Sequence, residues 1–434
     1  MINSFNKFSF FFKRDLGIKL FNLGIFFLPS AVLIGSIFLL VSLIIATYKK
    51  RQTFFKDKWN YPLFLASGLM LLSSLKNTIS PSLTEVPDWH VSYSWISIVN
   101  WIPLFVCFWG FQEYLKTEKE RELFAKSLLF GTIPVIVSCI GQYLFKWEGP
   151  LELFDGLIIW FLKPVGSDGL SGLFSNQNTA GFWLTTVFPF SILLVLNQEN
   201  SSRKKIFTSI ISFIIFYLTL LTNSRNALVG LILSISILLG FKFILIFTIT
   251  LLIISPIYIF SINYFPEQLQ INLKSFVPIH LIYKITRFDL SNILSYPRIE
   301  IAAKALKMIS IKPILGWGAA TFPFAYLIYS GTYEAQHAHN LFIHLAYEFG
   351  LPLSFILLSM IILLFIKTLK KIKISNKNLN NLVNKSWITS CFIGSLFHLS
   401  DITYYDLRVS LLLWTLFAGL KCIASEKVGF KYPQ

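Results

Sequence analysis

Residues 340–367 read NLFIHLAYEFGLPLSFILLSMIILLFIK, an apolar run longer than the roughly 20 residues a helix needs to cross a bilayer. His337-Ala-His339 stands immediately before it, and Lys367, Lys370, Lys371, Lys373 and Lys377 crowd its far end. Runs of the same kind recur from residue 17 to residue 424. Over the 434 residues, hydrophobic side chains make up 55% and charged ones only 14%, whereas a soluble domain carries about 25% charged. So little charge cannot cover a water-facing surface. The chain reads as a polytopic membrane protein, and lipid admits only a helical bundle or a closed barrel. The runs are continuous rather than alternating, which excludes the barrel.

The expected fold class is therefore all-α: a polytopic helical membrane protein with a large external loop subdomain. Spans are expected near 17–28, 31–48, 60–76, 95–111, 123–145, 178–197, 206–222, 226–240, 243–261, 340–367, 386–399 and 408–424, twelve in all. The first is short and could form a hairpin with the second. No small-residue cleavage site follows it, so it is expected to stay as an anchor. Residues 1–261 then hold about nine spans and an external loop at 146–177, residues 262–339 form the external subdomain, and residues 340–434 hold about three spans.

A net charge of +17 invites a nucleic-acid partner, but the basic residues lie between apolar runs, where anionic headgroups meet them. Membrane lipids are the expected partner, and nucleic acid is not. With a cytoplasmic amino terminus, the inner side receives Lys7, Lys13, Arg14, Lys19, Lys49, Lys50, Arg51, Arg203, Lys204, Lys205 and the run from Lys367. That bias is the one the positive-inside rule requires; both termini are then cytoplasmic. Cys107, Cys139, Cys391 and Cys422 lie in or beside apolar runs without metal spacing and read as core residues.

Chemistry-bearing residues gather at the external ends of the runs. The strongest cluster is Glu334-Ala-Gln-His337-Ala-His339-Asn340, where two histidines and an amide meet a helix start. Imidazoles there can act as bases, and a helix N-terminus lowers a nearby histidine pKa and attracts anions. A His-x-His metal site is a further option. Only Glu334 stands near as another ligand, however, so no metal is expected.

Lys outnumbers Arg thirty to eight, yet Arg225, Arg287, Arg298 and Arg408 fall on the external side. Arg is the residue for a planar, bidentate anion clamp. Arg225 lies in Thr222-Asn223-Ser224-Arg225-Asn226, and Arg298 opens an amphipathic stretch after Tyr296-Pro297. Asn176 and Asn178, before the span at 178, read equally as helix caps or as sugar and phosphate ligands. His344 and Glu348 share a helix face, and Asp401, Asp406 and Arg408 surround the last external loop.

Four pieces in order carry a resemblance: GLFSNQN at 172–178, TNSRNALVG at 222–230, YPR at 296–298 with PILGWG at 313–318, and HAHN at 337–340. Over roughly 165–370 the chain resembles the O-antigen ligase and O-antigen polymerase superfamily of polytopic bacterial glycan transferases. His339-Asn340 ahead of Gly350 fits the family's catalytic pattern, with Leu353 where Gly, Thr or Tyr is usual. Arg225 with Val229 is a mild departure from Arg-x-x-x-Leu.

The resemblance implies an enzyme of the bacterial inner membrane that works at the periplasmic face without cofactor or metal. It would move a glycan from undecaprenyl diphosphate onto a lipid A-core sugar, or in a polymerase onto another carrier-linked glycan. His339, Arg225 and Arg298 are then expected to be catalytic, with Asn176, Asn178, His337, Asn340, Arg287 and Asp401 binding substrate. A transporter of a small solute such as inorganic carbon is the competing expectation. Against it, few charges stand at mid-span, where a translocation path needs them.

Overall fold

The computed structural model describes residues 14–81, 83, 89–165, 169–196, 201–240, 297–330, 335–374 and 382–426, with isolated positions at 242, 245, 249, 253 and 266. Arg287 and Glu334 lie outside the described residues, as does most of the span expected at 243–261.

The chain is all-α apart from one two-stranded antiparallel hairpin among the described residues, Leu151–Leu153 with Ile158–Trp160. In chain order the helices are α1 (Arg14–Phe27), α2 (Val32–Lys50), α3 (Tyr61–Ile79), α4 (Ser92–Ile98), α5 (Ile102–Gly110), α6 (Glu118–Gly131), α7 (Ile133–Phe145) and α8 (Gln177–Leu196). There follow α9 (Ser202–Leu221), α10 (Arg225–Leu239), α11 (Pro297–Ile311), α12 (Phe322–Ser330), α13 (Leu341–Phe349), α14 (Leu351–Ile374), α15 (Leu382–Phe397) and α16 (Leu407–Ser425). Seven helical stretches among the described residues are long and apolar enough to cross a bilayer: 32–53, 92–114, 118–145, 177–196, 202–221, 351–372 and 407–425.

The surface of these helices suits lipid. On α2, Leu33, Ile37, Leu40 and Ile44 recur at helical spacing and are all exposed, while Gly35, Leu39, Ser42, Leu43 and Ala46 on the other side are buried. A helix apolar on both faces would be a liability in water and is at home in a membrane. The buried side carries small residues that bring backbones close. Such a contact makes α1 and α2 a hairpin, with Gly24 facing Gly35 and Leu39.

The chain divides into two compact units, one of residues 1–131 with 292–434 and one of residues 132–291. In the second unit α8 is the core: its side chains from Thr179 to Leu194 are all buried, between α9 and α10. In the first unit α16 is the core helix, buried from Arg408 to Leu420.

The run that opens the sequence reading is not one helix. Gly350 breaks it at φ 94° and ψ 161°, ending α13 and starting α14. Only glycine reaches that region without strain, and a Cβ on Gly350 would stand 2.0 Å from the Ile314 carbonyl oxygen. Pro352 then sits in the first turn of α14, where a missing N–H costs no hydrogen bond. So α14 alone is the membrane-crossing part, and α13 is a separate nine-residue helix.

The break is built around the Pro313–Gly318 turn. Its Trp317 and Gly318 N–H groups donate to the carbonyls of Tyr347 and Glu348, each at 2.9 Å, and Leu351 N–H donates to Pro313 at 2.8 Å. Ser73 on α3 donates its hydroxyl to the Leu315 carbonyl at 2.7 Å. Gly316, at φ 66°, lies so close to Glu348 that a Cβ would meet its backbone at 2.5 Å. Trp317 stacks on Tyr347 and donates to the Met308 carbonyl, so α11, the turn and α13 share one core with Phe322 and Tyr326 of α12.

Candidate functional site

Asn340 fixes the start of α13. Its side-chain oxygen accepts from the N–H groups of Phe342 at 3.0 Å and Ile343 at 3.1 Å, and its amide nitrogen donates to the Leu399 carbonyl at 2.9 Å. Leu341 N–H donates to the His398 carbonyl at 2.9 Å, and His344 N–H to the Asn340 carbonyl. The first four amides of the helix are thus all satisfied within the protein. This corrects the expectation that the helix start would offer N–H donors to an anion. Asn340 works as a cap and a tether, with both ends of its amide committed.

The turn after α15 forms the other wall. Ser400 accepts from Arg298 Nη1 at 2.9 Å through its carbonyl, and Asp401 presents both carboxylate oxygens. Oδ1 stands 3.3 Å from His339 Nδ1 and also accepts from Ile402 N–H at 2.9 Å. Oδ2 stands 3.5 Å from Arg298 Nη2. The carboxylate is 5% exposed at residue level, whereas the Arg298 side chain is 46% exposed and the His339 side chain 26%. A buried carboxylate therefore orients one half-buried imidazole and one guanidinium that reaches solvent.

The electrostatics follow from that layout. Burial pushes the Asp401 carboxyl up, but the His339 hydrogen bond and the Arg298 charge outweigh it, and the net shift is downward. Asp401 stays ionised. His337, beside His339 with ring centroids 4.5 Å apart, is lowered to about 4 by burial and by the neighbouring imidazole. It stays neutral at physiological pH, and its Nδ1 accepts from His339 N–H at 3.3 Å. With Nδ1–H of His339 directed at Asp401, the lone pair lies on Nε2. His339 itself has φ 52°, a left-handed conformation rare outside glycine.

His337, His339 and Asp401 each offer a ligand atom, and these atoms lie within 4.8 Å of one another. Sequence proximity offered only Glu334 as a partner for the histidines. The third donor instead comes from beyond three intervening helices, and no local signal could have shown it. His344 and Glu348 prove to be structural partners: His344 Nε2 is 3.5 Å from Glu348 Oε1, which also accepts from Ala320 N–H at 2.8 Å and so holds the turn. Asp406 caps α16 through Arg408 N–H at 3.0 Å and also accepts from the Arg408 side chain.

The second unit brings together three other expected residues. Asn176 caps α8, accepting from Thr179 N–H at 2.9 Å, and Asn178 lies half-buried in the first turn. Arg225 is the exposed first residue of α10, after Ser224 as its cap. The starts of α8 and α10 touch, with Gly181 against Ala227 and Ser224, so Asn176, Asn178 and Arg225 share one end of this unit.

No curated protein matches the chain. Residues 210–358 match a family described as O-antigen ligase, a stretch that takes in Arg225, Arg298 and His339. With its apolar spans, the match supports the O-antigen ligase and polymerase superfamily of membrane glycan transferases for this multi-pass membrane protein.

Proposed function

We propose that the protein is an O-antigen ligase-type glycosyltransferase of the bacterial inner membrane, acting at the periplasmic face. The donor is a glycan on undecaprenyl diphosphate and the acceptor a sugar hydroxyl of lipid A-core. The observation that carries the reading is the contact of His339 Nδ1 with Asp401 Oδ1 at 3.3 Å, with Arg298 on the other carboxylate oxygen.

Transfer requires the acceptor oxygen to attack the anomeric carbon while the bond to the diphosphate oxygen breaks. His339 Nε2 accepts the hydroxyl proton, and Asp401 steadies the imidazolium that forms. Asp401 is thus a positioning residue rather than a substrate ligand. Charge grows on the departing diphosphate, where a preformed cation is worth most. Arg298 supplies one, since its guanidinium is anchored on one edge and partly solvent-facing. Arg225, exposed within the matched stretch, is a second proposed phosphate cation. Asn176 remains a proposed substrate ligand only through its amide nitrogen, and Asn178 and His337 are each proposed substrate ligands within their own units. No metal enters the reaction.

The test is the lipid-linked sugar pool of a deletion strain. A ligase leaves long carrier-linked chains accumulated and the lipid A-core bare. Accumulated single repeat units would assign a polymerase instead, and an unchanged pool with altered solute uptake would remove the transferase.

A further inference from the structure

The cluster that serves the proposed base also has the donors and spacing of a metal site. His339 Nδ1 and Asp401 Oδ1 stand 3.3 Å apart. Two ligands at neighbouring corners of a tetrahedron with bonds of about 2.0–2.1 Å are separated by about 3.3–3.4 Å. His337 adds the third donor, all three within 4.8 Å. Its Nδ1 accepts from the His339 N–H at 3.3 Å, so that nitrogen is unprotonated, and a metal bound there would replace this long hydrogen bond. Ile402 N–H holds Asp401 from behind at 2.9 Å, as supporting hydrogen bonds do for metal-binding carboxylates.

Two imidazoles and one carboxylate select the cation by chemistry. Mg²⁺ and Ca²⁺ prefer oxygen ligands, whereas Zn²⁺ takes nitrogen readily and is content with three protein ligands and one open position. Arg298 opposes any cation here, yet its contact with Asp401 is the longer one, on Oδ2, and nearly half of its side chain already meets solvent. It can turn away while Oδ1 binds the metal.

We infer that His337, His339 and Asp401 form a Zn²⁺ site whose occupation switches transfer off. A zinc ion on His339 Nδ1 obliges the single proton of the neutral ring to sit on Nε2. That is the atom which must accept the hydroxyl proton, so the metal-bound ring has no lone pair left for the acceptor. The zinc also takes the Asp401 oxygen that steadies the imidazolium. The inhibition rests on His339 being the base; the binding does not.

The experiment uses the full chain in detergent, stripped with a chelator and titrated with Zn²⁺ against a chromogenic zinc indicator. One equivalent should bind, and X-ray absorption should show two imidazole ligands and no sulfur. His337→Ala, His339→Ala and Asp401→Asn should each weaken binding at least about tenfold, since even supporting groups of a metal site are worth 10–100-fold. In the transfer assay Zn²⁺ should inhibit, and a chelator should restore the rate. Absence of a stoichiometric site overturns the proposal, as do sulfur ligands, equal competition by Mg²⁺, or unchanged affinity in His337→Ala. Stimulation by Zn²⁺ overturns the inhibition and the free imidazole base together. If Zn²⁺ binds as described but no transfer occurs with or without it, the site stands and the glycosyltransferase reading fails.

Discussion

His339 holds a left-handed backbone at φ 52°, a conformation that a non-glycine residue keeps only when its surroundings over-determine it. Asn340 on one side and Asp401 on the other supply that determination. If the residue is the base, His339→Ala should lower the transfer rate by about 10²–10⁴-fold, the usual worth of general-base assistance, while the protein still reaches the membrane. His337→Ala should cost less, because its ring neither contacts Asp401 in the same way nor lies in the His-Asn pair. An in vitro assay with a diphosphate-linked donor separates the two, and a fully active His339→Ala enzyme would end the mechanism. Arg298→Lys keeps the charge but loses the fork that reaches Ser400 and Asp401 together. One lost hydrogen bond to a charged group, worth about 1.5–3 kcal/mol, predicts a roughly 10–100-fold slower enzyme. Wild-type kinetics in the Lys variant would reduce Arg298 to a surface tether.

The elements show why part of this site was legible and part was not. His337, His339 and Asn340 declare themselves because they are consecutive polar residues at the mouth of an apolar run. Arg298 was visible as the first turn of an amphipathic helix after a proline, and α11 does begin at Pro297. Asp401 was seen only as a loop acid, since its pairing with His339 is made by tertiary packing of the α15 turn against α13. The division of 340–367 was readable in principle from Gly350-Leu351-Pro352, but hydropathy runs smoothly through it. That break is what aims α13 and its cap at the α15 turn, so it should be sensitive. Gly350→Ala forces a left-handed alanine, costing on the order of 1–3 kcal/mol, and drives a Cβ to 2.0 Å from the Ile314 carbonyl oxygen. Gly68→Ala in α3 is the control, since a Cβ there meets nothing within 4 Å. Thermal unfolding in detergent should show a lower midpoint for the first variant and none for the second. Equal midpoints would mean that the turn yields easily and does not position the site.

At the scale of the whole molecule, the proposed sidedness rests on where one unit keeps its cations. α14 runs 24 residues from Leu351 to Ile374, about 36 Å at 1.5 Å per residue, enough to cross a hydrocarbon core of about 30 Å. In its first turn Ser354 donates its hydroxyl to the Phe342 carbonyl, near the start of α13, at 2.7 Å. Toward its other end Lys367 lies over the Trp59 ring at 4.7 Å, near where Lys421 pairs with Asp57 at 2.7 Å. Arg14, Lys49 and Lys116 surround Glu113 in the same unit. Short connections rich in lysine and arginine stay on the cytoplasmic side, so the proposed function expects the histidine end to face the periplasm, where a polyprenyl-linked donor would be met. Ser330→Cys and Ser375→Cys test this with a membrane-impermeant maleimide. The four native cysteines are all buried, so background labelling should be low. Position 330 should label in intact spheroplasts and position 375 only after permeabilisation. Labelling of both from one side would mean that α14 does not span the bilayer. The lysine-rich end and the His339 site would then share a compartment, and a base acting on periplasmic acceptors could not be assembled from these residues.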